Sequence, residues 1–147
     1  MDPVLLRALG VLLLVAVVAL LGWWWQRHDR AVEPVAGSPS FSDDDLAAVG
    51  LDLHGVRAGA VLLGSPTCAP CQQVKRVLGE VADEQTGFRW VYADAGDHLD
   101  LVDRYAVRRV PTLFVVDPSG RLLARTSGVP APDDLREVLD DGDARVA

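Results

Sequence analysis

Apolar positions divide the chain into one long run near the N-terminus and a series of short runs after it. The long run extends from Ala8 to Trp25 and comprises 18 residues without a charged side chain. As a helix it would be about 27 Å long at roughly 1.5 Å per residue, close to the roughly 30 Å hydrocarbon core of a bilayer. With the apolar residues just before it, the run predicts a transmembrane anchor over residues 4–25, which would make the chain a single-pass membrane protein in contact with the lipid bilayer.

The residues that flank the long run favour an uncleaved anchor over a signal peptide. Three tryptophans, residues 23–25, end the run and are followed by charged residues, where signal cleavage requires small ones. Tryptophans in this place are typical of an interfacial aromatic belt. Arg7 on one side and Arg27 with Arg30 on the other nearly balance, so charge alone does not fix the orientation.

Beyond the anchor, composition and periodicity separate a linker, a folded domain and a tail. Residues 26–41 contain several Pro, Gly and Ser residues, which predicts an extended linker. Residues 42–140 alternate between strand-like and helix-like patterns and are numerous enough for one domain with its own core. Residues 141–147 follow the last helical pattern and are expected to form a flexible tail.

Within the domain, the pattern predicts strands and helices in a definite order. Apolar or β-rich segments predict strands at 60–63, 88–92, 112–116 and 121–126. Apolar residues at helical spacing predict helices that begin at Ser42, after Cys68, at Asp97 and at Pro132. The inward face of the third of these helices is expected to carry Leu99, Val102, Tyr105 and Ala106. After the first helix the order is β-α-β-α-β-β-α, which predicts an α/β fold with a central mixed β-sheet flanked by helices.

Charge excludes one class of function. Residues 31–147 hold 11 of the 14 basic and 19 of the 21 acidic residues, and no basic stripe or cluster offers a footprint for phosphates. Nucleic-acid binding is therefore disfavoured. The acidic surface is expected to serve solubility.

The chain has two cysteines, Cys68 and Cys71, and their spacing points to redox chemistry. Both fall where a buried strand gives way to an amphipathic helix. At a helix start the backbone N–H groups lack partners and the macrodipole is positive, so a thiolate is favoured on the first cysteine. The second cysteine lies about one turn inside the helix, on its apolar face. We therefore predict that Cys68 is the nucleophile and that Cys71 is the less accessible, resolving thiol.

The Cys68-Ala69-Pro70-Cys71 unit, the order of elements and the Val110-Pro111-Thr112 segment resemble the thioredoxin family over roughly residues 45–140. The resemblance implies exchange of protein disulfides through a mixed disulfide with Cys68, without a cofactor or a metal. It implies that the Val110–Pro111 bond is cis and faces the nucleophile, and that the backbone of Val110 pairs with the substrate. The remaining residues expected to contact substrate are Thr67, Ala69 and Pro70.

The same resemblance implies partners and a location. The partners are protein disulfide substrates and a second protein that recycles the cysteine pair, and the chain is expected to act as a monomer. Membrane tethers commonly keep domains of this kind near exported proteins, so we expect the domain on the outer face of the cell membrane.

Several positions depart from the family pattern. Thr67 stands where the family usually has Trp, and Ala69-Pro70 replaces Gly-Pro. The position of a buried Asp falls near Leu62, and Trp90 lies in the approximate place of the lysine that accompanies it. Proton transfer to Cys71 is therefore expected to depend on water.

Three further interpretations concern the cysteines and the residues near them. Arg108 and Arg109 precede Val110, where guanidinium groups would lower the thiol pKa and attract acidic partners, or would merely be solvated. A zinc site needs two ligands beyond the cysteines, and the three histidines show no paired spacing. The cysteines could also serve a binding module or redox sensor that turns over no substrate.

Overall fold

The structure is a computed structural model, and it describes residues 3–28, 33–34 and 40–146. The helices are α1 (Pro3–His28), α2 (Asp43–Val49), α3 (Ala69–Glu84), α4 (Leu99–Arg104) and α5 (Pro132–Val146). The strands are β1 (Glu33–Pro34), β2 (Ala58–Gly64), β3 (Phe88–Asp94), β4 (Thr112–Val116) and β5 (Leu122–Ser127). The predicted order β-α-β-α-β-β-α is confirmed from β2 onward.

The strands form one mixed sheet in the order β1-β5-β4-β2-β3. Strands β2 and β3 are parallel because the α3 crossover connects them, whereas β4 is antiparallel to both β2 and β5. The β4–β5 hairpin closes through the Asp117–Gly120 turn, in which the Gly120 N–H donates to the Asp117 carbonyl at 2.9 Å. The sheet therefore has the mixed, helix-flanked form that the sequence predicts.

Side chains of β2 alternate between two cores, one on each face of the sheet. Ala60 and Leu62 face a core that includes buried residues of α3 and α5, among them Val74, Leu78, Leu135 and Leu139. Val61 and Leu63 face a second core that includes Phe41, Leu46, Leu101 and Phe114. Burial on both faces explains why β2 is an unbroken apolar run in the sequence. Because β2 is packed on both faces, its end and the start of α3, where the cysteines lie, are held in place.

Helix α1 contains the residues predicted as a membrane anchor. The large apolar side chains from Val11 to Trp24 whose exposure is described are 44% to 69% exposed. Over the part of the chain that the structure describes, no helix is long and apolar enough to cross a membrane. The transmembrane element of the predicted fold is therefore not supported.

The folded unit also extends beyond the predicted domain at both ends. Glu33–Pro34 of the predicted linker pairs with β5 as an edge strand. Helix α5 continues through the predicted tail as far as Val146. Gly142 is buried in this part of the helix, against Leu123 of β5. A Cβ added at Gly142 would lie only 2.8 Å from Leu123 Cδ1, so a larger residue would not fit. Close approach of helix to strand thus explains a glycine that, in the sequence, indicates the end of a helix.

The predicted inward face of α4 is partly wrong. Leu99 is 64% exposed, and Ala106 is exposed with a positive φ of 48° beyond the end of the helix. Leu101 is fully buried in their place. The helix begins one residue later than predicted, with His98 at the N-cap, and spans only Leu99–Arg104. A helix of so few turns has no sustained periodicity from which its rotation could be predicted.

Candidate active site

The cysteines lie between the end of β2 and the start of α3. Cys68 occupies the N-cap of α3 in an extended conformation, and Pro70 follows in the first turn, where its missing N–H costs nothing. The Cys68 N–H donates to the Ser65 carbonyl at 3.1 Å, which closes the turn between strand and helix. The predicted position of the pair at a helix start is confirmed.

Cys68 and Cys71 are joined by a disulfide, with a Cα–Cα distance of 5.3 Å. The backbone N–H of Cys71 donates to Cys68 Sγ at 3.2 Å, so the sulfur occupies the place of a side-chain cap. When the bond is reduced, this N–H and the positive end of α3 favour a thiolate on Cys68. The geometry therefore allows the pair to cycle between dithiol and disulfide.

The two cysteines differ in exposure. Cys68 is half-buried, whereas Cys71 is fully buried among the apolar residues of α3. An incoming disulfide would meet Cys68 first. The predicted roles of nucleophile and resolving thiol stay predictions, and the difference in exposure agrees with them.

The Val110–Pro111 bond is cis, as predicted. Pro111 is buried and Val110 is 37% exposed. Thr112 pairs with Leu63 across the sheet, so this bond lies at the same sheet edge as Gly64, where β2 leads into the Cys68 turn. Thr112 Oγ1 donates to the Arg109 carbonyl at 2.7 Å and holds the loop before the proline. The predicted substrate residues Val110 and Pro111 are thus placed at the cysteine end of the sheet.

The other predicted substrate residues form the exposed part of the cysteine turn. Thr67, Ala69 and Pro70 are all exposed around the half-buried Cys68. The hydroxyls of Ser65 and Thr67 are 3.2 Å apart and hydrogen bond to each other. The small side chains in this turn leave Cys68 open to a protein substrate.

The interior beneath the cysteines differs from the prediction in one position. Leu62 is fully buried, so an apolar residue stands at the predicted place of the acid. The residue that pairs with Leu62 on β3 is Tyr92, whereas Trp90 pairs with Ala60. Tyr92 and not Trp90 therefore occupies the position beside Leu62. The error arose because strand register depends on the pairing of two strands, which one segment of sequence does not reveal.

Tyr92 and Cys71 both lie close to Gly64, and the sequence pattern does not predict this arrangement. A Cβ at Gly64 would lie 2.6 Å from Tyr92 Cε2 and 3.1 Å from Cys71 Sγ, so only a hydrogen fits between them. The ammonium of Lys75 lies 3.6 Å from the centroid of the Tyr92 ring. Burial, and after it the Asp94 and Asp97 carboxylates, raise the pKa of Tyr92 above its ordinary value. The one signal in the sequence was that Lys75 follows Cys71 by four residues, on the same helical face.

A separate cavity lies away from the cysteines. Its volume is about 510 Å³, and it is lined by α2, the loop after it and Pro118. None of its lining residues belongs to the cysteine turn. Within the described ranges, no three metal-ligating side chains come together.

Comparisons with known proteins bear on the family and the fold. The family model described as a thioredoxin-like domain matches residues 51–143. A thioredoxin of Pyropia yezoensis is 28% identical over 67 residues, which are 45% of this chain and 63% of that protein. The chain thus matches less than two thirds of the length of this relative.

Two solved structures share the fold. A mutant thioredoxin from Halobacterium salinarum NRC-1 matches with a TM-score of 0.57 and 23% identity, over 73% of this chain and 96% of that one. The thioredoxin from Trypanosoma brucei brucei matches with a TM-score of 0.54 and 21% identity, over 77% and 91% of the two chains. At these identities the likeness concerns the fold.

Proposed function

The chain belongs to the thioredoxin family, and from this premise we propose that it reduces protein disulfides through a Cys68/Cys71 dithiol. The observation that carries the proposal is the position of the pair. A half-buried sulfur caps a helix and accepts the N–H of a fully buried partner cysteine, to which it can form a disulfide. In this arrangement Cys68 is accessible to attack a substrate, and Cys71 is buried beside it, where it can resolve the mixed disulfide.

The proposed reaction has two exchange steps. The Cys68 thiolate attacks one sulfur of the substrate disulfide, forming a mixed disulfide, and the other substrate sulfur leaves with the electron pair and takes a proton from water. The Cys71 thiol then loses its proton to water and attacks Cys68 Sγ. A Cys68–Cys71 disulfide forms, and the second substrate sulfur leaves and is protonated. The dithiol has been oxidised and the substrate disulfide reduced.

The two cysteines can be separated by a trapping experiment. Cys71→Ser retains the attacking thiol but cannot release the adduct, so mixed disulfides should accumulate with a disulfide-bonded protein such as insulin. Cys68→Ser is the matched control and should trap at least tenfold less, because the buried thiol does not reach the substrate. Adducts are counted on non-reducing gels. Equal trapping by the two variants would contradict the assigned roles.

Turnover separates an enzyme from a binding module or sensor. Wild-type protein with a small dithiol donor should reduce insulin faster than the donor alone, and both single cysteine variants should lose this acceleration. A wild-type chain that forms the Cys68–Cys71 disulfide reversibly without accelerating insulin reduction would instead be a sensor or a binding module.

We further propose that α1 attaches the domain to a membrane, with the cysteines on the outer face of the cell. Support comes from the charge-free run from Ala8 to Trp25 and from the exposed apolar side chains within it. The two cysteines are the only ones in the chain, so labelling needs no engineered site.

The location is tested by fractionation and labelling. The full chain should sediment with membranes and resist extraction by alkali, because an inserted apolar helix is held more firmly than a surface charge. A membrane-impermeant maleimide, applied to intact cells after a non-permeant phosphine, should label the domain. Release by alkali would contradict insertion, and labelling only after lysis would place the domain inside.

A further inference from the structure

Lys75 is the single lysine of a chain whose other basic residues outside histidine are all arginine. It lies on α3 four residues after Cys71, so the two side chains are neighbours on one helical face. Its side chain is half-buried, and its ammonium lies over the ring of Tyr92. A cation placed on an aromatic face is held there by the ring's quadrupole.

The ring that holds Lys75 and the resolving sulfur both lie close to Gly64. Tyr92 Cε2 and Cys71 Sγ converge on Gly64, at 2.6 Å and 3.1 Å from the place a Cβ would occupy. The helix spacing and the shared approach of Tyr92 and Cys71 to Gly64 are independent observations, and both place Lys75 on the Cys71 side of the domain. Tyr92 thus fixes the ammonium near a thiol that is otherwise surrounded by apolar side chains.

Resting on the proposed function, we propose that Lys75 is a positioning residue for the resolving step, in which its ammonium, held over Tyr92, stabilises the thiolate of Cys71. The thiolate must form within the apolar interior before it can attack Cys68, and burial disfavours that charge. The fully buried Leu62 provides no polar group there. A nearby positive charge offsets part of the cost.

The titratable groups around this place act in opposite directions. Burial, and after it the carboxylates of Asp94, at the end of β3, and Asp97, beyond it, raise the pKa of Tyr92. A negative charge near Cys71 would disfavour its thiolate. Lys75 has the opposite effect, since its charge has the sign that a thiolate requires. Cys68 carries no charge at this step because it is bound to the substrate.

The proposal is tested on Cys71 alone. In the Cys68→Ser variant Cys71 is the only thiol, and its ionisation is followed by thiolate absorbance near 240 nm as pH is raised. A variant with both cysteines replaced by Ser provides the baseline that removes tyrosinate absorbance. Lys75→Met, which keeps the stem and removes the charge, should lower the thiolate-to-thiol ratio at a given pH about threefold. Lys75→Arg should restore most of the ratio.

Matched controls distinguish the effect of the Lys75 charge beside Tyr92 from the effect of any positive charge on α3. Arg76→Met removes a positive charge from the exposed side of the same helix and should change the ratio by less than half as much. Tyr92→Phe keeps the aromatic face and should behave like the parent, whereas Tyr92→Leu should behave like Lys75→Met. Equal effects of Lys75→Met and Arg76→Met, or no effect of Lys75→Met, would overturn the proposal.

A kinetic readout separates this inference from the proposed function. With Cys68 present, Lys75→Met should lengthen the lifetime of the mixed disulfide about threefold at neutral pH and leave the rate of its formation unchanged. Failure of the wild-type chain to reduce insulin would refute the proposed function, while the thiol titration would still decide whether Lys75 acts on Cys71. A change in formation rate alone would overturn the role in resolution.

Discussion

At Gly64, the end of β2 lies close to both the Tyr92 ring of β3 and the Cys71 sulfur of α3. Its neighbours are the Tyr92 ring and the Cys71 sulfur, both inside the contact distance of any added side chain. Its φ lies outside the left-handed region, so glycine is required here for space and not for backbone conformation. Larger residues would push the cysteine helix away from the sheet.

We therefore expect Gly64→Ala to destabilise the domain by about 1–3 kcal/mol, as overpacking of a filled interior does. Gly79→Ala is the matched control, because Gly79 lies within α3 with no atom near its missing side chain. That change should stabilise the domain by up to about 1 kcal/mol through helix propensity. Urea unfolding of both variants measures the difference, and equal stabilities would show that Gly64 has free space.

For single residues, the sequence predicts chemical roles more accurately than it predicts which residues lie next to each other in the fold. Cys68 and Cys71 could be assigned because a spacing of three residues at a helix start has a direct chemical consequence. The approach of Tyr92 and Cys71 to the same glycine could not be predicted, because it depends on the register of β3 against β2. The approximate assignment of Trp90 to the place of the family lysine has the same origin, since Tyr92 is the residue that pairs with Leu62. One residue type at one position does not encode which residue of another strand faces it.

Helix α2 is stabilised by a capping box whose acid also binds the rest of the domain. Ser42 Oγ accepts from the Asp45 N–H at 3.1 Å, and the Ser42 N–H donates to the Asp45 carboxylate. Asp45 also accepts from the Tyr105 hydroxyl at 2.7 Å and from the Arg104 guanidinium. Burial alone would raise the pKa of Asp45, but bonds from Tyr105, Ser42 and Arg104 outweigh it and lower that pKa.

This lowered pKa predicts a pH dependence of stability. A carboxyl whose folded pKa is depressed contributes stability above its unfolded pKa and loses it as pH falls through the folded value. Asp45→Asn should therefore lower the free energy of unfolding by about 1–2 kcal/mol at pH 7, and the difference from wild type should shrink below about pH 4. Urea unfolding at several pH values measures it. Asp44→Asn, an exposed change in the same turn, is the control, and a difference that does not vary with pH would contradict the role of Asp45.

The sequence predicts the ends of α2 accurately, but it does not predict which residues elsewhere in the domain α2 contacts. Ser42, the acids after it and Gly50 define the ends of α2, since caps act through nearby backbone groups. That Asp45 would be buried against Tyr105 does not follow from local pattern, because the two residues lie far apart in the chain. Helix α4 shows the opposite case, where a short segment leaves even its buried face undetermined by sequence.

Across the whole molecule, the folded unit begins before the domain that the sequence predicts. Phe41 is 2% exposed, stacks on Tyr105 with ring centroids 4.1 Å apart and meets Phe114 edge-on. Its N–H donates to the Gly120 carbonyl at 2.8 Å. The order of elements was predictable because alternating periodicity survives along the domain, but a single aromatic residue at a boundary carries no periodicity.

We expect truncation to reveal this boundary. A chain that begins at residue 31 keeps β1 and Phe41 and should match the full chain in its urea midpoint. A chain that begins at residue 43 loses β1, Phe41 and the Ser42 cap, and its free energy of unfolding should fall by about 3–5 kcal/mol, mainly through the deleted core aromatic. Equal midpoints for the two truncations would show that Phe41 adds nothing to the core.

The pairing of β1 with β5 limits how far the cysteines can travel from α1. Between His28 and Glu33 only four residues remain to connect helix and sheet, and even fully extended this connection reaches about 18 Å. A linker of sixteen residues, as predicted over residues 26–41, would let the domain reach a much larger volume around α1. Any partner held at the same place as α1 would therefore meet Cys68 at a high effective concentration, whereas one farther away would be excluded by distance alone. Inserting glycine and serine residues after His28 would widen that range without altering the chemistry of the pair.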